Sequence, residues 1–344
     1  MVFDFVISET YWFKQKVNEI DFVFLWCDGS DPNFIKQKNS RMRDLDQSWT
    51  QDNTGEIRYQ QYDESRFALR SVYAFAPWFR YIYIVTNKQR PGWLKDHRKI
   101  KIIDHSEIIP SEFLPTFSSV CIEMFLDRIP GLAENFIYAN DDMLLNKKLE
   151  PNDFFDKQGK PIVWLNRVTK TLPVISDAEH QLQDDHDRSW YQTIRRAWFL
   201  FAKKNNLLVP CDSPAHSMDA YNIRILRSIV SKYPELLKAN CNSFRTGQEI
   251  SRVLYSYEMA YIHNCQLLFN NKPNFLNRML SHLFNIKSYT VVRSNVNKLK
   301  RDIRLMNPQT FCINNLTDES SMAAIDFLNK KFPNSAPWER DNIC

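Results

Sequence analysis

The chain has 344 residues, of which 44% are hydrophobic and 14% aromatic; it can bury a large core in one enlarged domain or two, and it is not a disordered chain. Its formal charge of +5 is spread among acidic residues rather than blocked into arms, which suits an anionic ligand or an acidic membrane face and gives no ground for a nucleic-acid partner. Seven cysteines stand singly with no Cys-x-x-Cys pair, an argument against a zinc ribbon or a disulfide framework and for a reducing cytosol.

The first apolar run, "VFDFVI", is too short and too acidic for a signal peptide, and nowhere do about 18 apolar residues run together. The expectation is a cytoplasmic protein without a membrane span. In chain order, Ile20 to Trp26, Arg80 to Asn87, Lys99 to His105, Asn135 to Asn140 and Pro161 to Asn166 read as strands bounded by polar or turn residues. Between them, Ser65 to Ala76 and Ser118 to Ile129 carry apolar residues at helical spacing, ended by Pro77 and Pro130. This alternation predicts an α/β fold with a mostly parallel, Rossmann-like sheet flanked by helices. After Lys170 the patterns are longer and helical, as in "SWYQTIRRAWFLFAKK", "AYNIRILRSIVSKYPELLKAN" and "EISRVLYSYEMAYIH". The expected organisation is an α/β part over 1–170 and a mainly helical part over 171–344 packed against it in one compact unit.

Ligands of an open parallel sheet sit outside the carboxyl ends of its strands. The sequence puts polar clusters there: Asp28 and Asp31 in "FLWCDGSDP", Asn87 in "IVTNKQ", and Asn140, Asp141 and Asp142 in "FIYANDDMLL". Each alone also reads as turn or cap chemistry; the three together favour a site. Buried carboxylates need a partner, so Asp141 and Asp142 call for a divalent metal, Mg²⁺ or Mn²⁺, a basic side chain or water. The six glycines make neither a G-x-G-x-x-G nor a Walker loop, so a diphosphate would be met by a metal on carboxylates and by arginine forks. Arg66 and Arg70 lie one helical turn apart and can point the same way; the alternative for the pair is a solvated face with Glu64. His180 and His186 lie in an acidic segment that resembles a solvated loop.

The blocks "IDFVFLWCDGSDP", "DESRFALRSVYAFAPWFRYIYIVTNKQRPGWL", "DHSEIIP", "LPTFSS" and "RIPGLAENFIYANDDMLL" resemble the first two conserved regions of the Stealth family of sugar-phosphate transferases. "AHSMDAYN" with "FRTGQEISRVLYSY" resembles the third, and "FCINNLTDESS" with "FLNKKFPNSAPWE" the fourth, so the likeness runs from Ile20 to Glu339. Cys27 departs from it, standing where the family usually has an apolar residue. The resemblance implies a GT-A-like fold and transfer of a sugar 1-phosphate from a nucleotide sugar, UDP-linked in the present reading, to a hydroxyl of a polysaccharide or glycolipid acceptor. A bacterial surface-polysaccharide enzyme is the closer analogy, with peripheral contact to the inner membrane or a capsule assembly complex as a further expectation. It also implies that His216 is catalytic and that Arg245 faces the phosphates. Phosphoryl transfer asks for positioning and charge stabilisation, so the expected catalytic set is His216, Asp142, Arg245 and Arg66. Asp28, Asp31, Arg70, Asn87 and Asn140 are the expected donor contacts. Two rivals remain at this point: a metal-dependent glycosyltransferase that releases UDP, and a carbohydrate-binding protein with a dead site.

Overall fold

The computed structural model describes residues 19–45, 54–55, 59–167, 190–270, 288–314 and 316–340. Strand β1 (Ile20–Leu25) is buried along its whole length, as its apolar run requires of a strand covered on both faces. Its one carboxylate, Asp21, is fully buried and fully answered: Arg80 donates to it at 2.9 and 2.6 Å, and the main-chain N–H groups of Tyr81 and Ala133 at 3.0 and 2.7 Å. Helix α1 (Pro32–Asp44) follows, then α2 (Glu64–Phe75), strands β2 (Ile82–Thr86) and β3 (Ile100–Asp104), and the short helices α3 (His105–Ile108) and α4 (Ser119–Glu123). Strand β4 (Asn135–Asn140) turns at Asp141 and Asp142 into β5 (Met143–Leu145), and β6 (Val163–Asn166) comes next.

The second half begins with helix α5 (Trp190–Asn205), strands β7 (Ser213–Pro214) and β8 (Asp219–Asn222), and helices α6 (Ile223–Lys232), α7 (Glu235–Asn240) and α8 (Val253–Tyr257). A π-helical turn, Glu258–Ile262, continues α8, and β9 (Leu267–Phe269), β10 (Thr290–Arg293), α9 (Val296–Met306), β11 (Thr310–Ile313) and α10 (Asp318–Lys331) complete the described elements.

The central sheet has the order β3-β2-β1-β4-β8. Its first four strands are parallel and β8 is antiparallel. Two smaller sheets, β10-β11-β5 and β7-β6-β9, each mix parallel and antiparallel pairs. The chain is therefore a mixed α/β protein with three sheets, and a mostly parallel sheet describes the central one alone. Along β1 the side chains alternate between two cores: Phe22 and Phe24 join Phe67, Phe311 and Trp338 on one face, while Val23 and Leu25 join Trp198, Phe201 and Tyr255 on the other.

The described second half is mainly helical, as expected, but it also carries short strands that the sequence reading did not find. It holds strands β7 to β11, and β8, β11 and the β7/β9 pair dock on β4, β5 and β6 of the first half. These strands are two to four residues long, too short for a period to emerge in the sequence. Ala220 to Asn222, read as the start of a helix, belong to β8, and the Asn222 side chain caps α6 by accepting from the N–H groups of Arg224 and Ile225. The helix expected over Ser118 to Ile129 stops after Glu123 and resumes only as a tight turn, Leu126–Arg128. His180 and His186 lie outside the described residues.

Candidate active site

At the end of β1 both carboxylates are engaged locally. Asp28 Oδ1 accepts from the Ser30 N–H and hydroxyl at 2.8 and 2.6 Å, and Asp31 Oδ1 caps α1 by accepting from the N–H groups of Asn33 and Phe34 at 2.7 and 3.0 Å. Gly29 is required by closeness rather than by its torsion, because a Cβ there would stand 2.5 Å from the Tyr59 carbonyl oxygen. At the end of β2, Asn87 donates to Gln37 Oε1 at 3.3 Å, beside a surface cavity of about 530 Å³ lined by Asp31, Lys36, Gln37, Asn87, Lys88 and Gln89. Cys27 follows β1 as a neutral thiol: burial, with Asp141 and Asp28 adding to it, pushes it up to about 12. His105 is buried at the start of α3, and burial pushes its imidazole down to about 4, the behaviour of a neutral packing residue.

The end of β4 is different. Asn140 Oδ1 accepts from the Tyr138 hydroxyl at 2.8 Å, and Asp141 Oδ2 accepts from Gln61 Nε2 at 2.7 Å. Asp142 Oδ2 accepts from the Cys312 thiol at 3.0 Å, while its buried Oδ1 has no hydrogen-bond partner among the described residues. Burial, followed by the charges of Asp142 and Glu64, pushes the Asp141 carboxyl up to about 8. Glu64, buried at the start of α2, is likewise raised by burial, a rise that its main-chain hydrogen bonds oppose and that Asp142 and Asp63 reinforce. Three carboxyl groups thus crowd one strand end.

Facing them, His216 sits between β7 and β8 with a left-handed backbone, φ 51°, and its buried Nε2 has no hydrogen-bond partner among the described residues. Burial lowers its pKa, Asp142 pulls it back up, and Arg252, Glu123 and Arg245 add smaller opposing effects. Arg245 donates to Ser119 Oγ at 2.8 Å, which anchors it to the start of α4. Arg252 bridges Asp219 at 3.0 Å and Glu123 at 3.4 Å and lies over the Tyr138 ring, 5.2 Å from its centre.

Arg66 and Arg70 do point the same way, toward Glu339. Arg70 grips both carboxylate oxygens at 2.6 and 2.7 Å and also donates to the Phe332 carbonyl at 2.9 Å; Arg66 adds a bond at 2.5 Å. The face is a buried ion cluster rather than a solvated one. Burial alone would raise the Glu339 carboxyl, but the hydrogen bonds from Arg70, the Ala336 N–H and Arg66 outweigh it and hold it below its ordinary range. The sequence-predicted residues therefore fall in three places: Asp141, Asp142, His216 and Arg245 converge, with Asn140 alongside; Asp31 and Asn87 border the cavity, with Asp28 joined to it through main-chain hydrogen bonds to Gln89; Arg66 and Arg70 meet on Glu339.

Glu64, Gln61, Cys312 and the Glu123–Arg252–Asp219 cluster escaped the sequence reading. Glu64 and Cys312 stand inside the quoted blocks "DESR" and "FCINN", but only burial beside Asp142 gives them significance. The donors here suit a hard cation: carboxylate oxygens of Glu64, Asp141 and Asp142, with Asp142 Oδ1 buried and without a hydrogen-bond partner among the described residues.

Carboxyl groups held against burial and like charge, opposite an imidazole whose inner nitrogen is unengaged, are the equipment of an α/β enzyme. Comparison with known proteins gives the class its family. The model described as Stealth protein CR1, conserved region 1, matches residues 18–46, and that of Stealth protein CR2, conserved region 2, matches residues 58–163. An exopolysaccharide phosphotransferase of Lactiplantibacillus plantarum is 30% identical over 333 residues, 91% of either chain. Other relatives match over shorter spans: a capsular polysaccharide phosphotransferase of Streptococcus pneumoniae at 42% identity over 42% of this chain and 44% of its own, and one of Streptococcus thermophilus at 45% over 40% of this chain and 57% of its own. The chain belongs to the Stealth family, and it is a transferase of the phosphotransferase kind.

Proposed function

We propose that this protein transfers a hexose or N-acetylhexosamine 1-phosphate from a UDP-sugar to a hydroxyl of a growing capsular or other surface polysaccharide. The product is a phosphodiester, and UMP is released. The observation that carries the reading is the opposition of the unpartnered His216 Nε2 to the acidic end of β4. In the reaction the acceptor oxygen forms a bond to the sugar-bearing phosphorus, its proton passes to the His216 imidazole, and the phosphorus–oxygen bond to UMP breaks with its electron pair leaving on UMP. The sugar C1–oxygen bond is untouched, so the anomeric configuration is retained.

Asp141 and Asp142 would hold Mg²⁺ or Mn²⁺, which supplies counter-charge to the diphosphate. Arg245, anchored on Ser119 and near enough for its charge to act on His216, favours the anionic donor. Residues 1–170 bind the donor along the ends of β1, β2 and β4, and 171–344 supply His216 and Arg245. Among the described residues no helix is long and apolar enough to cross a membrane, so contact with the cytoplasmic face of the inner membrane would be peripheral. The test is incubation with a panel of UDP-sugars, Mg²⁺ and an oligosaccharide acceptor, followed by identification of the nucleotide: UMP supports the reading, and UDP would replace it with glycosyl transfer.

A further inference from the structure

Cys312 introduces a third kind of donor into the site. One ligand atom each from Asp142, His216 and Cys312 lie within 4.8 Å of one another: a carboxylate oxygen, an imidazole nitrogen and a sulfur. Hard cations such as Mg²⁺ take oxygen donors, whereas a mixed oxygen, nitrogen and sulfur set is that of a borderline ion such as Zn²⁺. Donors around a tetrahedral zinc sit roughly 3.3 to 3.7 Å apart, a separation that small side-chain rotations reach from here. Three protein ligands leave a fourth position open. Asp142 and His216 each also have a buried side-chain atom without a hydrogen-bond partner among the described residues, Oδ1 and Nε2, which a cation held by these residues would satisfy.

We propose that Asp142, His216 and Cys312 form a binding site for a thiophilic divalent cation of the Zn²⁺ class, and that its occupancy shuts the enzyme off. On binding, the Cys312 S–H bond breaks, its proton goes to solvent and a sulfur–metal bond forms; the thiol's hydrogen bond to Asp142 Oδ2 is replaced by a shared ion. The His216 lone pair is then engaged by metal and cannot accept the acceptor's proton. The binding half stands on the donor geometry alone; the inhibitory half rests on the role given to His216 above.

The two halves are tested apart on the full chain. Titration with Co²⁺, a spectroscopic substitute for Zn²⁺, should produce a near-ultraviolet thiolate-to-cobalt charge-transfer band that saturates at one equivalent and is displaced by Zn²⁺. Cys312→Ser, checked for its fold by circular dichroism and thermal unfolding, should lose the band. With Mg²⁺ in excess, added Zn²⁺ should abolish wild-type transfer, and half-inhibition of Cys312→Ser, relative to its own zinc-free rate, should need at least about tenfold more Zn²⁺. Absence of the band in the wild type, which needs no variant, overturns the site, as does a band that persists in Cys312→Ser through another thiol. A Cys312-dependent band without inhibition leaves the site standing and removes His216 from the role of base.

Discussion

Cys312 donates its thiol hydrogen to Asp142 Oδ2 at 3.0 Å, a bond between residues 170 positions apart. It ties the end of β11 to the turn after β4, so the orientation of the acidic pair is set from the second half of the chain. The other oxygen of Asp142 is left facing the site without a partner. Asp142→Asn keeps the shape and removes the charge, and it is expected to lower the transfer rate by at least about a hundredfold, equivalent to about 2.7 kcal/mol. EDTA should abolish wild-type activity and added Mg²⁺ restore it. Full activity in chelator would contradict the assignment of Asp141 and Asp142 to a cation.

The clamp of Arg66 and Arg70 on Glu339 makes a prediction about stability. Removing one partner from a buried ion pair typically costs about 3 to 5 kcal/mol, so Glu339→Ala should lose that much in chemical denaturation. The folded-state pKa of Glu339 is depressed, and its contribution is therefore complete above the ordinary carboxyl range, about 4.3. It is lost as pH falls below that range through the folded value. Stability profiles of wild type and Glu339→Gln should converge in acid; parallel profiles at all pH values would show the carboxylate uncoupled from the arginines. Because Arg70 is spent on this cluster, Arg70→Lys should act chiefly on stability. Arg245→Lys, which loses the planar fork beside Ser119, should act chiefly on rate.

Asp31 separates a cap from a ligand. Its carboxylate caps α1, and asparagine caps as well as aspartate does. Asp31→Asn should leave stability unchanged, whereas Asp31→Ala should cost about 0.5 to 2 kcal/mol. A rise in KM for the UDP-sugar in Asp31→Asn, with stability intact, would place the charge in the donor site; unchanged kinetics would return it to the turn alone.

The pH dependence of kcat/KM reports the free enzyme's base. His216 is lowered by burial more than Asp142 raises it, so the rate should climb with pH through a midpoint below the ordinary imidazole value of about 6.5. His216→Ala should keep UDP-sugar affinity within about threefold, lose on the order of 10²-fold in kcat and lack that limb. A loss confined to affinity, or the same limb in the variant, would move the base elsewhere.

The parallel core was legible in the sequence because β1, β2 and β4 are continuous apolar runs between polar ends, and α2 carries a helical period ended by a proline. Strands β7 to β11 were not, since runs of two to four residues carry no period and are specified by the edges they meet. In the site, Asp141 and Asp142 stood out as charges where an apolar strand ends. His216 and Arg245 came only through the family likeness, because a single histidine or arginine before a helical pattern has no chemistry of its own. Cys312 and Glu64 acquire meaning from distance to Asp142, and distance across such sequence separations is a property of the fold.

The central claim is that the bond broken in the donor is phosphorus to oxygen, between the sugar phosphate and UMP. It is tested most directly with a UDP-sugar carrying heavy oxygen at the bridge between the anomeric carbon and phosphorus, the product being read by phosphorus NMR and mass spectrometry. The expected result is a phosphodiester product that keeps the heavy oxygen bonded to the same anomeric carbon, with unlabelled UMP released. Heavy oxygen appearing in released UDP, with a phosphorus-free glycosidic product, would contradict it.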